Sequence, residues 1–193
     1  MKKRLISLLV ALCMAVTLLP VSALTAWAEG GGQLKIVDGY PVGSGKNHDE
    51  DCSGDGWSYD GATLDLHPAS PTDYDFSKLI SGRGNVLACA LKIGEKATIT
   101  DGRFINNITN SGTITGGVFQ PLSSQSLTFE NSGIITGGEF LSTLGPLYFT
   151  NNISGTIEGG IFSVSSLSNS GAINGGVFPR RPNGDKVAAG YTL

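Results

Sequence analysis

The sequence predicts an all-β chain folded as a parallel β-helix (a β-solenoid) with an N-terminal β cap, on three observations. One phrase is written five times between Ala97 and Phe178: ATITDGRF, GTITGGVF, GIITGGEF, GTIEGGIF and GAINGGVF. Successive copies start 15, 21, 22 and 16 residues apart, so the phrase is rigid and the spacer elastic. A shorter apolar-polar-Asn phrase precedes four of the copies, ending at Asn110, Asn131, Asn151 and Asn169. Self-similarity at roughly this period marks a stack of repeated coils.

Each part of the coil has a physical reason. Ile99, Ile114, Ile135, Ile157 and Ile173 form one column, and Phe104, Phe119, Phe140, Phe162 and Phe178 another. Thr-Ile-Thr alternation turns the Ile to one face, as a half-buried strand requires. The Gly-Gly that follows makes a sharp corner, after which the Phe re-enters the interior. The Asn of the shorter phrase is expected to take the left-handed conformation at the next corner. Stacked at about 4.8 Å, such coils turn equivalent positions into ladders. Helix is disfavoured, because Gly, Asn, Ser and Thr dominate and no 3.6-residue apolar stripe appears. A sandwich of antiparallel hairpins would also alternate, but it gives no reason for five near-identical phrases.

From the start of the chain, residues 1–28 read as a secretion signal. Lys2-Lys3-Arg4 is basic, an apolar run follows, and Ala26-Trp27-Ala28 offers the small residues a signal peptidase needs. Cys13 follows Leu12, where a lipidation motif requires a small residue, so the signal is not read as a lipoprotein's. Removing it leaves 165 residues with 10 basic against 16 acidic side chains, a net charge of −6. That balance argues against nucleic acid and anionic membrane as partners, and no later segment is apolar enough to insert in a bilayer. Residues 29–96 are assigned to the cap. A short strand is expected from Gln33 to Asp38, a strand pair turns at Asp60-Gly61, and a Pro/Asp/Ser loop runs from Pro68. Residues 97–178 are the repeat array. In the tail, 179–193, Pro179-Arg-Arg-Pro182 stops the repeat, and Lys186 onward either caps the last coil or opens a longer array.

Candidate sites lie in the cap. Asp49, Asp51, Ser53, Asp55 and Asp60, around Gly54, imitate the oxygen spacing of a calcium loop. The competing reading is a solvated acidic loop, since no flanking helices are predicted and position 12 is Asp60 rather than Glu. His48 and Cys52 lack further zinc ligands nearby. Cys52 and Cys89 flank a 36-residue segment and, once exported, would form a disulfide tying the cap to the first coil, or else remain buried thiols. Trp57, Tyr59, Tyr74 and Phe76 are candidate aromatic platforms, with a core role for Trp57 as the competing reading.

Catalysis finds little support. His48 and His67 are the only histidines, and no serine or cysteine sits in a nucleophile motif. Glu139 and Glu158 could adjoin on the outer surface with Arg103 two coils away, but ordinary polar surface produces the same pattern. Threonine pairs such as Thr98 and Thr100 suggest an ice-binding array, until Ile134, Glu158 and Ala172 interrupt it.

The signal, the WSYDGATLDL strand pair followed by Tyr74-Asp-Phe76, and the ITGGxF repeats together resemble secreted bacterial surface proteins. Those proteins carry Gly/Thr/Asn-rich repeats and are often described as containing carbohydrate-binding domains. The resemblance spans nearly the whole chain and implies a non-catalytic recognition or adhesion protein of the cell exterior. Its partner would be an extracellular glycan or another cell-surface component. A structural spacer and a polysaccharide lyase or hydrolase are the alternatives.

Overall fold

The computed structural model describes residues 33–42, 51–82, 84–123 and 125–179. The expected secretion signal, Asp49 and the C-terminal tail from residue 180 lie outside them. The described residues form a parallel β-helix whose coils run through three stacked sheets. The strands of the cap region are β1 (Ile36–Val37), β2 (Tyr40–Pro41), β3 (Cys52–Gly54), β4 (Trp57–Tyr59), β5 (Thr63–Leu66) and β6 (Thr72–Asp75). A single helical turn, α1 (Phe76–Leu79), then leads into β7 (Ile80–Ser81).

The coils proper follow in order. The first has β8 (Ala90–Ile93), β9 (Ala97–Asp101) and β10 (Arg103–Phe104). The second has β11 (Ile108–Asn110), β12 (Thr113–Ile114) and β13 (Val118–Phe119). The third has β14 (Leu127–Asn131), β15 (Ile134–Ile135) and β16 (Glu139–Leu141). Next come β17 (Leu147–Asn151), β18 (Thr156–Ile157) and β19 (Ile161–Ser163), and last β20 (Ser166–Asn169) and β21 (Ala172–Ile173).

Every apolar-polar-Asn phrase joins an eight-stranded sheet ordered β20-β17-β14-β11-β8-β5-β4-β3. Each Thr-Ile-Thr segment joins a six-stranded sheet, β21-β18-β15-β12-β9-β6, and each Phe strand a four-stranded one, β10-β13-β16-β19. Equivalent residues pair in parallel register, Ile114 with Ile135 and Phe119 with Phe140, as the repeats require. The stack also reaches further upstream than the repeated phrase. β5 and β6, which the sequence assigned to the cap, pair in parallel with β8 and β9. They carry no ITGGxF phrase, so spacing alone cannot reveal them. The cap itself is the antiparallel β3–β4 hairpin at the end of the large sheet, with a small sheet ordered β2-β1-β7. Asp38 and Gly39 turn β1 into β2 with φ of 50° and 93°, the mirror-image hairpin geometry that an Asp-Gly pair supplies.

The interior is ladders. All five Ile of the first column are buried. Phe104, Phe119, Phe140, Phe162 and Phe178 stack nearly parallel, with centroids 4.8, 4.7, 4.5 and 4.8 Å apart, and Phe178 is half-buried at the open end. Phe129 and Phe149 form a second stack that meets the first edge-on at 5.0–5.3 Å. A buried ring is worth roughly 1.5–3 kcal/mol, and the edge-to-face contacts add to it.

The asparagines do something other than the expected turn. None has positive φ; they point inward, and Asn110, Asn131 and Asn151 are fully buried. Each side-chain N–H donates to the next carbonyl along the row: Asn110 to Asn131 at 2.8 Å, Asn131 to Asn151 at 2.8 Å and Asn151 to Asn169 at 2.7 Å. Parallel register sets identical amides one strand spacing apart, which makes this chain of hydrogen bonds possible.

Candidate functional site

With the core accounted for, what remains is the outer surface. Among the concavities that the described residues form on it, two stand out. One, about 690 Å³, follows the glycine corner between the six- and four-stranded sheets. Its walls are mostly glycine backbone, Val118, Ile161 and Val177, with Asp101 and Glu139 at the side; Glu158 is not among them. It exists because the corners have no Cβ. A Cβ on Gly137 would run into the carbonyl oxygen of Thr115 in the coil before, while Gly138 sits at φ +99°. The expected Glu139–Glu158 pair is thus divided, since Glu139 stands on the Phe strand and Glu158 at the end of the Ile strand.

The second concavity, about 500 Å³, lies on the outer face of the eight-stranded sheet where the β3–β4 hairpin joins it. Polar side chains converge here. Asp51, Ser53, Ser58, Asp60, Thr63, Asp65 and Lys92 line it, with Cys52 and Tyr59 between them. Strand register explains the convergence: Ser53 faces Ser58, Ser58 faces Asp65, and Asp65 faces Lys92 on successive strands. Lys92 Nζ donates to Asp65 Oδ2 at 2.7 Å, and His67 Nδ1 lies 3.9 Å from Asp65 Oδ1. Asp60 Oδ1 accepts the backbone N–H groups of Ala62 at 3.0 Å and Thr63 at 2.7 Å, closing the β4–β5 turn. Those two hydrogen bonds hold the Asp60 carboxyl below its ordinary pKa.

Of the expected calcium-loop residues, Asp49 lies outside the described residues, and the other four are not all gathered at one concavity. Asp51, Ser53 and Asp60 reach one concavity, but Asp55 is not among its walls. Ser53 stands on one strand of a hairpin, which spreads successive side chains over alternating faces instead of converging them. Among the described residues no three His, Cys, Asp or Glu side chains are placed to hold a metal ion.

The four expected aromatic platforms are core residues. Trp57, Tyr59, Tyr74 and Phe76 are 2, 3, 7 and 0% exposed. Trp57 and Tyr59 share the inward phase of Leu66 and Leu64, their strand partners, and Phe76 packs edge-on to Phe104 at 5.1 Å. Tyr74 occupies the first rung of the Ile column opposite Ile99, and its hydroxyl donates to the Gly56 carbonyl at 3.3 Å. Among the described residues the ring most open to solvent is Tyr148, 48% exposed on β17. Its signal was legible, because Tyr148 sits between the inward Leu147 and Phe149 in plain alternation. Thr128 precedes it and Ser166 follows it in the same outward row.

No bond joins Cys52 and Cys89 in this structure, the thiol alternative of the sequence; Cys52 opens β3 and Cys89 precedes β8, with β4 and β5 between those strands in the sheet. Disulfide α-carbons stand about 4.4–6.8 Å apart, little more than one strand spacing. Burial pushes the Cys89 thiol up to about 12.

The hairpin concavity and Tyr148 therefore share one outer face. A continuous row starts in the concavity and runs past Tyr148: Asp65, Lys92, Thr109, Glu130 and Thr150 occupy equivalent outward positions on successive parallel strands, with Tyr148 in the adjacent outward row of β17. From β4 to β17 is five strand steps, roughly 24 Å. The chain matches no protein-family model, no curated protein and no solved structure.

Proposed function

We propose that the chain is an exported, non-catalytic recognition protein that binds carbohydrate of the cell exterior on the outer face of its eight-stranded sheet. The observation that carries this reading is the shared face: a concavity rich in hydroxyls and carboxylates lies in line with an exposed tyrosine ring. Sugars are bound by that combination, hydroxyls hydrogen-bonding to charged and polar side chains while an aromatic ring covers the ring's C–H face. The signal-like N-terminus and the resemblance of the repeats to secreted surface proteins agree with an exterior location.

A glycan array probed with the processed chain tests the proposal, run once with calcium and once with chelator. Binding to carbohydrate that survives chelation is the expected result. No signal on any glycan would replace the proposal with a structural spacer. Loss of binding on chelation would return the acidic segment around Asp51 to the position of a calcium site.

A further inference from the structure

Resting on that reading, the charge pattern of the face points to the class of glycan. We infer that the ligand is an uncharged, extended chain lying along the axis of the solenoid, across the strands, from the hairpin concavity to Tyr148.

Three observations carry this. The equivalent outward positions run unbroken over the strands between the two ends and hold short or extended polar side chains, so nothing walls the face off crosswise. A chain directed along the strands would leave the sheet after five residues, the length of β14 and of β17. Charge comes second. Lys92 is the one cation in the row between Asp65 and Thr150, and its ammonium is 2.7 Å from Asp65. Glu130 is exposed in the same row. A polyuronate or sulfated chain laid here would meet carboxylates and a cation already engaged, which disfavours anions. Third, the row that leads from the concavity past Tyr148 is composed of hydroxyl and charged side chains. A protein partner needs an apolar, desolvated centre, and Tyr148 alone does not supply one.

The experiment is calorimetric titration of the full chain with neutral β-glucan, xylan and mannan hexasaccharides and trisaccharides, beside polygalacturonate and chondroitin sulfate. Three variants are compared, Tyr148→Ala, Lys92→Met/Asp65→Asn and Glu130→Lys, each checked by circular dichroism. Expected is binding of a neutral hexasaccharide, much weaker binding of its trisaccharide, and a loss of roughly tenfold for Tyr148→Ala. Glu130→Lys is expected to acquire affinity for polygalacturonate that the parent lacks. The exposed positions of Tyr148 and Glu130 keep these variants folded, so the result does not hang on the double variant.

Preference of the parent for an anionic polymer overturns the inference and leaves carbohydrate recognition standing. So does neutral binding that Tyr148→Ala leaves unchanged, or equal affinity for trisaccharide and hexasaccharide. Failure to bind any carbohydrate removes both. A self-associated form in sedimentation that Tyr148→Ala disperses would assign the face to a second copy of the chain and overturn the inference as well.

Discussion

The two glycines of each corner are required for different reasons, and substitution separates them. Gly137 lies against the Thr115 carbonyl, so a methyl group there must displace the backbone of the neighbouring coil. Gly138 meets a milder crowding, 3.3 Å to the Gly117 carbonyl oxygen, but has a φ of +99°, which costs an alanine roughly 1–2 kcal/mol. Gly137→Ala is therefore expected to lower the urea midpoint more than Gly138→Ala; the reverse order would refute this division. The sequence holds a natural control. The first corner reads Asp101-Gly102, and there the partner strand β6 is irregular, with a register shift between Tyr74 and Asp75. Within the interior, Phe140→Ala removes a ring stacked on two others and should cost roughly 3–5 kcal/mol in equilibrium unfolding. For the cysteines, alkylation followed by mass spectrometry is expected to modify half-buried Cys52 first, Cys89 reacting only on unfolding. Recovery of a Cys52–Cys89 bridge would show that β3 is placed differently against β8.

Among the elements, the asparagine row makes neighbouring coils cooperate. Replacing Asn131 by leucine leaves the Asn110 amide donor and the Asn151 carbonyl without their partners, each buried loss being worth roughly 1–3 kcal/mol. Equilibrium unfolding of the leucine variant checks this; an unchanged midpoint would mean that the amide row contributes nothing to stability. The columns themselves were readable in the sequence because period-two alternation fixes which residues face inward. Ile114, Phe119 and Phe129 needed nothing more. What their conformation would be at the corners was not readable. Asn tolerates the left-handed region, but four of them in parallel register find a better use in pairing with each other. Trp57 and Tyr59 failed as platforms because antiparallel pairing with β5 puts them in phase with Leu66 and Leu64, a register visible only once the strands are placed. Whether Cys52 and Cys89 meet was unreadable for a similar reason, since sequence separation says nothing of strand order.

For the whole molecule, the perturbed groups set the stability profile. Asp60 and Asp75 have pKa values below the ordinary 3.8, Asp75 through its hydrogen bonds with Lys78 and Ser77. A depressed carboxyl stabilises the fold fully above its unfolded value and less as pH falls through its folded one. Cys89 runs the other way at alkaline pH. The unfolded thiol ionises near 9.0 while the buried one resists to about 12, so stability drains away between those values. Unfolding midpoints should be level from about pH 4 to 9 and fall on both sides. A Cys89→Ser variant that keeps the alkaline fall would shift its cause elsewhere.

Corner loops between the Phe strands and the Asn strands vary from two residues, 164–165, to seven, 120–126, yet the coils they join pair in unbroken register. Contour length and height are thereby uncoupled. Height grows only by whole coils, in graduations of about 4.8 Å, as on a ruler. Duplicating one coil would carry Tyr148 one graduation further from the hairpin concavity, and excising one would bring it nearer. A surface built this way measures the spacing of what it contacts in integers, and a change of one repeat resets the scale without redrawing any mark on it.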